Sequence, residues 1–148
     1  MSNPGRKFEY EILHALQDNF PNIFSYKFKQ YGGISFATSQ PFDLLFLSQP
    51  KATVIECKSK DISDRKTLKL EQLFREGQLE GEIDRAERYG LRGLLFLELR
   101  AGRGTAKRCY YDYLYNVSGK TIDLANPSMV EVEREGSEYL IEDEFWEI

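Results

Sequence analysis

Residues 41–58 read PFDLLFLSQPKATVIECK, and this stretch decides the fold. Two largely apolar segments, 41–47 and 53–58, are each typical of a β-strand. The polar connection between them contains Pro50, which cannot donate a ladder hydrogen bond within a central strand. The pattern therefore predicts a β-hairpin.

The register of this hairpin decides which charged side chains share a face. If the hairpin closes about the bond between Gln49 and Pro50, paired residue numbers sum to 99, and Asp43 faces Glu56 with Cβ atoms roughly 5 Å apart. Lys58 projects to the same side as Glu56, because side chains in a strand alternate between its two faces. An odd loop length would turn Asp43 to the opposite face.

Two carboxylates that face each other repel, and a largely apolar hairpin gains no stability from carrying them. A hard divalent cation removes that objection, since Mg²⁺ binds oxygen ligands and commonly takes one or two carboxylates with waters and phosphate. A neighbouring lysine then stabilises the charge that develops on a phosphate or helps to activate a water. The alternative is a hairpin that carries ordinary edge charges.

Charge is distributed unevenly along the 148 residues. The net charge is −4, but residues 109–148 hold ten acidic residues against two basic ones, so residues 1–108 carry a net charge of +4. This asymmetry fits a phosphate-binding body with an acidic far side, and it fits a solvated acidic tail almost as well. The length predicts a single domain over 1–148, with a core at about 5–115 and an acidic C-terminal extension at about 116–148.

Several function classes find no support in the composition. Cys57 and Cys109 form no disulfide framework and lack zinc-site spacing, so a reducing cytoplasm is expected. His14 is the only histidine, which argues against mechanisms built on paired histidines. No apolar run approaches the length of a membrane span, so no membrane association is expected.

The N-terminal segment predicts a helix. Asn3 and Pro4 suit the N-cap and the first helical position, and the helix should run to about Asn19. Glu9 falls in the same stripe as the apolar residues of this helix. It therefore either faces a partner or a metal, or tilts toward solvent.

The remaining pattern predicts a mixed sheet with helices on both faces. Strands are expected at about 24–31, 93–99 and 109–115, and 138–146 suits a last strand or a short helix. Helical periodicity at about 70–89 changes face near Gly77, where a break is expected, and polar residues 59–66 suggest an exposed loop. A strand–helix–strand unit after the hairpin implies a parallel crossover.

These residues resemble the PD-(D/E)xK nuclease superfamily, which has a restriction-endonuclease-like fold. The matching elements are Glu9 on the first helix, Asp43 preceded by Pro41-Phe42, and Glu56-Cys57-Lys58 on the next strand. Within the superfamily, residues 5–100 are most similar to the Holliday-junction resolvases of archaea, phages and Gram-positive bacteria. Phe42 separates the motif proline from Asp43, which is a departure that leaves the chemistry unchanged.

The resemblance implies Mg²⁺-dependent hydrolysis of DNA, with Mn²⁺ as a substitute. Asp43, Glu56 and the backbone carbonyl of Cys57 would bind the metal, and Glu9 would assist from the first helix. Lys58 would position the attacking water. Gln78 resembles a glutamine often found in the following helix and would orient water or substrate.

A resolvase of this kind would bind a four-way DNA junction as a homodimer, because two symmetric cuts require two related active sites. Two alternatives stay open: another nuclease of the superfamily acting in restriction, repair or on flaps and ends, and a DNA-binding module without catalysis. The candidate DNA contacts are Arg6, Lys7, Lys27, Lys29, Ser35, Lys60, Arg103, Lys107 and Arg108.

Overall fold

The computed structural model describes residues 3–28, 42–101, 107–143 and 145–147. Short 3₁₀ turns cover Leu70–Leu73 and Phe145–Glu147. The helices and strands are, in chain order, α1 (Pro4–Asn19), β1 (Ser25–Lys27), β2 (Leu44–Phe46), β3 (Thr53–Asp61), β4 (Thr67–Lys69), α2 (Gln78–Arg88), β5 (Arg92–Arg100), β6 (Lys107–Tyr113), α3 (Leu114–Val117), β7 (Thr121–Asp123), β8 (Val130–Glu135) and β9 (Glu138–Leu140).

Helix α1 has the predicted bounds. The Asn3 side chain accepts a hydrogen bond from the backbone N–H of Gly5 at 3.0 Å, and Pro4 stands at the helix start, where an N–H has no partner to lose. One face of the helix is buried against the sheet. That face consists of Phe8, Ile12, Leu13, Ala15 and Leu16.

Seven strands form the main sheet, in the order β1-β2-β3-β5-β6-β8-β9. Among the strands of the described residues, β3 and β5 pair in parallel, and the other neighbours in this sheet are antiparallel. The apolar core has two parts, one between α1 and the sheet and the other on the opposite face with α2 and α3. The mixed sheet with helices on both faces is therefore confirmed.

The hairpin register is also confirmed. Leu44 pairs with Ile55 and Phe46 with Thr53, so the numbers of paired residues sum to 99. The regular pairing ends at Leu44 and does not include Asp43. The N–H of Asp43 donates instead to the carbonyl of Ile55, the partner of Leu44, at 3.0 Å. Asp43 therefore stands at a local irregularity where β2 begins.

The connection between β3 and β5 contains the predicted break at Gly77. Gly77 adopts φ 78°, a left-handed backbone conformation that favours glycine, and helix α2 begins at the next residue. The C-terminal end of α2 leads through Gly90, with φ 65°, into β5. Gln78, the first residue of α2, lies beside Lys58 of β3.

The exposed loop expected at residues 59–66 is wrong in its first half. Strand β3 continues to Asp61, because the parallel neighbour β5 extends alongside it and pairs Ser59 with Glu98 and Asp61 with Arg100. A second, two-stranded sheet was not predicted: β4 pairs with β7, which lies more than fifty residues further along the chain. Three-residue strands with distant partners leave little local signal in a sequence.

The acidic C-terminal quarter contributes to the main sheet. Strand β8 pairs with β6, and β9 pairs with β8. Phe145 and Trp146 pack their rings against Phe20 and Phe46 in the core beneath α1. None of the helices in the described ranges combines the length and apolar character needed to cross a membrane.

Candidate active site

Asp43 is held at the edge of β3 by a backbone hydrogen bond. Its Oδ2 accepts from the N–H of Cys57 at 2.8 Å, and the residue is only 8% exposed. The side chain thus takes the place of a β2 carbonyl in the ladder. The carbonyl of Cys57 points to the same edge as its N–H, because both groups of one strand residue lie on the same side.

Glu56 brings a second buried carboxyl to the same place. It is 4% exposed and lies within hydrogen-bonding reach of Asp43, so the two acids meet as the register predicts. Burial, followed by repulsion from Glu56, raises the pKa of Asp43 to about 8. Burial, followed by contact with the Glu82 carboxyl, raises the pKa of Glu56 to about 9.

Lys58 lies on the same face as Glu56. Its Nζ is 3.8 Å from Glu56 Oε1 and 5.0 Å from the centre of the Phe74 ring. The Lys58 side chain is 22% exposed, so the ammonium group stands where the buried acids meet solvent. The one-face arrangement of Asp43, Glu56 and Lys58 is therefore present.

Gln78 joins the site from the start of α2. Its Oε1 lies 3.5 Å from Lys58 Nζ and accepts a hydrogen bond from the backbone N–H of Arg75 at 3.0 Å. The bond to Arg75 fixes the amide orientation, since an amide oxygen must point toward a donor. Gln78 therefore holds Lys58 toward the acids.

Glu9 faces inward. Its side chain is 13% exposed and lies 3.4 Å from Lys27 Nζ on β1. Burial, and then the nearby Asp43, raise the pKa of Glu9, so α1 brings it next to the acidic pair. The sequence left two orientations open for Glu9, toward a partner or toward solvent. The structure has the first, with Lys27 as the partner.

Glu82 was missed by the sequence reasoning. It lies on α2 between buried Leu79 and Ala86 and is 2% exposed. Burial is the main cause that raises its pKa, and Glu56 and Gln78 are its polar neighbours. The signal was available: Glu82 lies one turn after Gln78 and within the buried stripe of the same helix.

The donor set suits a hard divalent cation. The candidate ligands are carboxylate oxygens and the carbonyl of Cys57, and both oxygens of Glu82 are buried without a hydrogen-bond partner among the described residues. No group of three or more His, Cys, Asp or Glu side chains in that same part of the chain forms a ready-made metal cage. Mg²⁺ does not need one, because it keeps several waters and commonly takes one or two protein carboxylates.

The expected DNA contacts are placed unequally. Lys60 lies two residues beyond Lys58 on the same face of β3 and is half-buried, and Lys107 starts β6 opposite Arg100. The Nη2 of Arg108 donates to the carbonyl of Leu124 at 2.6 Å. Lys29, Ser35 and Arg103 lie outside the described residues.

The three other basic candidates differ in how exposed they are. The Nζ of Lys27 forms an ion pair with Glu9 and lies 5.2 Å from the centre of the Tyr10 ring, so its positive charge is paired within the protein. Arg6 and Lys7 are exposed on α1.

Comparison with known proteins gives a fold and no closer assignment. No family model and no curated protein match the sequence. Among solved structures, the chain is similar to Hjc, a Holliday junction resolvase from the archaeal hyperthermophile Archaeoglobus fulgidus, with a TM-score of 0.54 and 18% identity over 86% of this chain and 95% of that chain. The fold is thus restriction-endonuclease-like.

Proposed function

We propose that this protein is a divalent-metal-dependent DNA endonuclease that cuts four-way junctions. The observation that carries the proposal is the buried pair Asp43 and Glu56, with Lys58 on the same face. Taking a carboxylate out of water costs on the order of several kcal/mol, and a second one beside it adds repulsion. Such a pair is poorly explained by stability, and perturbed acids of this kind concentrate at functional sites.

The residue roles follow from position. Asp43, Glu56 and the Cys57 carbonyl would hold Mg²⁺ or Mn²⁺, and such an ion would supply positive charge next to the scissile phosphate. Lys58 Nζ positions the attacking water and neutralises charge on the phosphate. Gln78 keeps Lys58 oriented.

Glu9 approaches the Asp43–Glu56 pair from helix α1. It lies beside Asp43, and Lys27 balances part of its charge. Its proposed role is to assist through a water or a second ion at the Asp43 side of the site. We propose that these residues belong to a single nuclease domain that spans residues 1–148.

The choice of DNA rests on two lines of support. The structurally similar Hjc is a Holliday junction resolvase. Residues 1–108 carry a net charge of +4, which suits binding to phosphates.

Symmetric cutting requires two related sites, so the proposal includes a C2 homodimer. The proposed compartment is the cytoplasm, where Cys57 and Cys109 stay free thiols.

The test is a cleavage assay on labelled DNAs: a four-way junction, a flap, a linear duplex and a single strand, each with Mg²⁺ and with Ca²⁺. We expect cutting of the junction in Mg²⁺ and no cutting in Ca²⁺. Asp43→Asn and Glu56→Gln should abolish cutting while junction binding persists. Asp84→Asn and Glu80→Gln, which change exposed acids on α2, are the matched controls.

Each other outcome identifies a different protein. Preferential cutting of flaps or linear duplex would make it another nuclease of the same fold. Binding without cutting by the wild type would make it a DNA-binding module. Cutting at wild-type rate by both Asp43→Asn and Glu56→Gln would remove the proposed site.

A further inference from the structure

Glu82 is buried more completely than either acid of the proposed metal-binding pair. It is 2% exposed, against 8% for Asp43 and 4% for Glu56. Neither of its carboxyl oxygens has a hydrogen-bond partner within the described ranges. An unsatisfied buried carboxyl is expensive, and such groups normally neutralise, pair or bind a metal.

The position of Glu82 narrows these choices. Its carboxyl approaches that of Glu56 across the space between α2 and β3. The positive charge of Lys58 offsets part of the rise in the pKa of Glu82. No salt bridge joins the two side chains within the described part of the chain. Two carboxyls that approach each other need either a shared proton or a cation between them.

We infer that Glu82 is a further acid of the cation site, and that it shares a divalent cation with Glu56. The inference rests on the proposed function and extends it, because Glu56 has two acidic neighbours, Asp43 just before β2 and Glu82 on α2. Waters and substrate phosphate would supply the remaining ligands, as is usual for Mg²⁺.

The competing explanation is a neutral Glu82 that donates its proton to Glu56 and has only a structural role. The two explanations differ in how Glu82→Gln behaves. A glutamine reproduces the shape and can donate to Glu56, so a structural role predicts unchanged metal affinity. A role as ligand predicts that metal affinity falls, because the amide loses the negative charge.

The test is Mn²⁺ binding to the full chain, without DNA, followed by electron paramagnetic resonance and calorimetry. We expect Glu82→Gln to weaken Mn²⁺ binding about tenfold or more, a typical loss when a group that supports a metal site is removed. Glu80→Gln, an exposed acid on the same helix, should bind Mn²⁺ like the wild type. Affinity of Glu82→Gln within twofold of the wild type would overturn the inference.

A second measurement keeps the test decisive if Glu82→Gln folds poorly. The unfolding midpoint of each variant is recorded in chelator, and Mn²⁺ binding is compared at a temperature at which every variant is folded. The double variant Glu56→Gln/Glu82→Gln should lose less affinity than the product of the two single losses, since both acids hold one ion. A loss equal to that product would overturn the shared ion.

The Asp43→Asn variant separates the two levels of the argument. If Asp43→Asn binds Mn²⁺ weakly and Glu82→Gln binds it normally, only the role of Glu82 fails. If Asp43→Asn and Glu56→Gln both bind Mn²⁺ like the wild type, the proposed function fails as well.

Discussion

The carboxylate of Asp43 accepts a hydrogen bond from the backbone N–H of Cys57 at 2.8 Å. This bond joins the start of one hairpin strand to the other strand beyond the end of their regular pairing. It fixes an acid next to Glu56 by using a backbone donor that needs a partner in any case. Structure and proposed chemistry therefore depend on the same side chain.

Asp43→Asn and Asp43→Ala should separate these two roles. Asparagine keeps an oxygen that accepts from Cys57 and removes the repulsion with Glu56, so Asp43→Asn should be at least as stable as the wild type at pH 8 without metal. Alanine leaves the buried N–H unsatisfied, and Asp43→Ala should be about 1–3 kcal/mol less stable than Asp43→Asn. Urea unfolding measures both, and equal stability of the two variants would contradict the structural role.

The stability of the metal-free protein should fall as pH rises. The pKa of Asp43 is raised from 3.8 to about 8 and that of Glu56 from 4.5 to about 9, so the folded state holds protons that the unfolded state has released. Their stabilising contribution is complete below the unfolded values and is lost as pH rises through the folded values. Unfolding in chelator at about pH 5 and pH 9 measures this loss.

Glu56→Gln provides the control for that pH dependence, since it removes one of the two titrating groups. Its free energy of unfolding should change less between the two pH values than that of the wild type. Added Mg²⁺ should stabilise the wild type more at the higher pH, where protons no longer compete for the carboxylates. Parallel pH profiles for wild type and Glu56→Gln would show that the pair does not titrate as described.

Lys58→Ala should slow catalysis without unfolding the protein. Its Nζ stands 3.8 Å from Glu56 and 3.5 Å from Gln78, at the solvent boundary of the site. Removing a charge that stabilises a transition state typically costs about 10²–10³-fold in rate. Single-turnover cleavage measures the effect, and Lys69→Ala, an exposed lysine on β4, is the control. A Lys58→Ala rate close to that of the control would remove Lys58 from the mechanism.

Lys60 should contribute to DNA binding through charge alone. It lies beyond Lys58 on the same face of β3, so Lys60→Ala should weaken binding to all DNA sequences and lower the salt dependence of log K by about one unit. Lys51→Ala, which changes an exposed lysine two residues before β3, should leave that slope unchanged. Equal slopes for both variants would place the DNA elsewhere.

The sequence predicted the features that depend on local pattern. Pro50 and the alternation of residues set the hairpin register, Asn3 and Pro4 set the start of α1, and Gly77 marked the break before α2. Each is fixed by backbone chemistry within a few residues. Local rules of this kind can be applied without knowing the rest of the fold.

The features that the sequence did not predict depend on distant partners. Ser59 belongs to a strand because Glu98 lies beside it, where it accepts a hydrogen bond from the Ser59 hydroxyl at 2.7 Å. The hydrogen bond from Arg108 to the carbonyl of Leu124 likewise joins distant residues, and composition does not indicate it. Glu82 differs from these two cases, because its place in the buried stripe of α2 is a local signal, whereas its neighbour Glu56 is distant in the sequence.

The most direct test of the central claim is the Mg²⁺-dependent single-turnover rate at which Glu56→Gln cuts a phosphodiester, measured on the DNA that the wild type prefers. If Asp43 and Glu56 together hold the cation, the rate should fall by about 10³-fold or more while DNA affinity stays within a few fold. A Glu56→Gln rate within tenfold of the wild type would contradict the account.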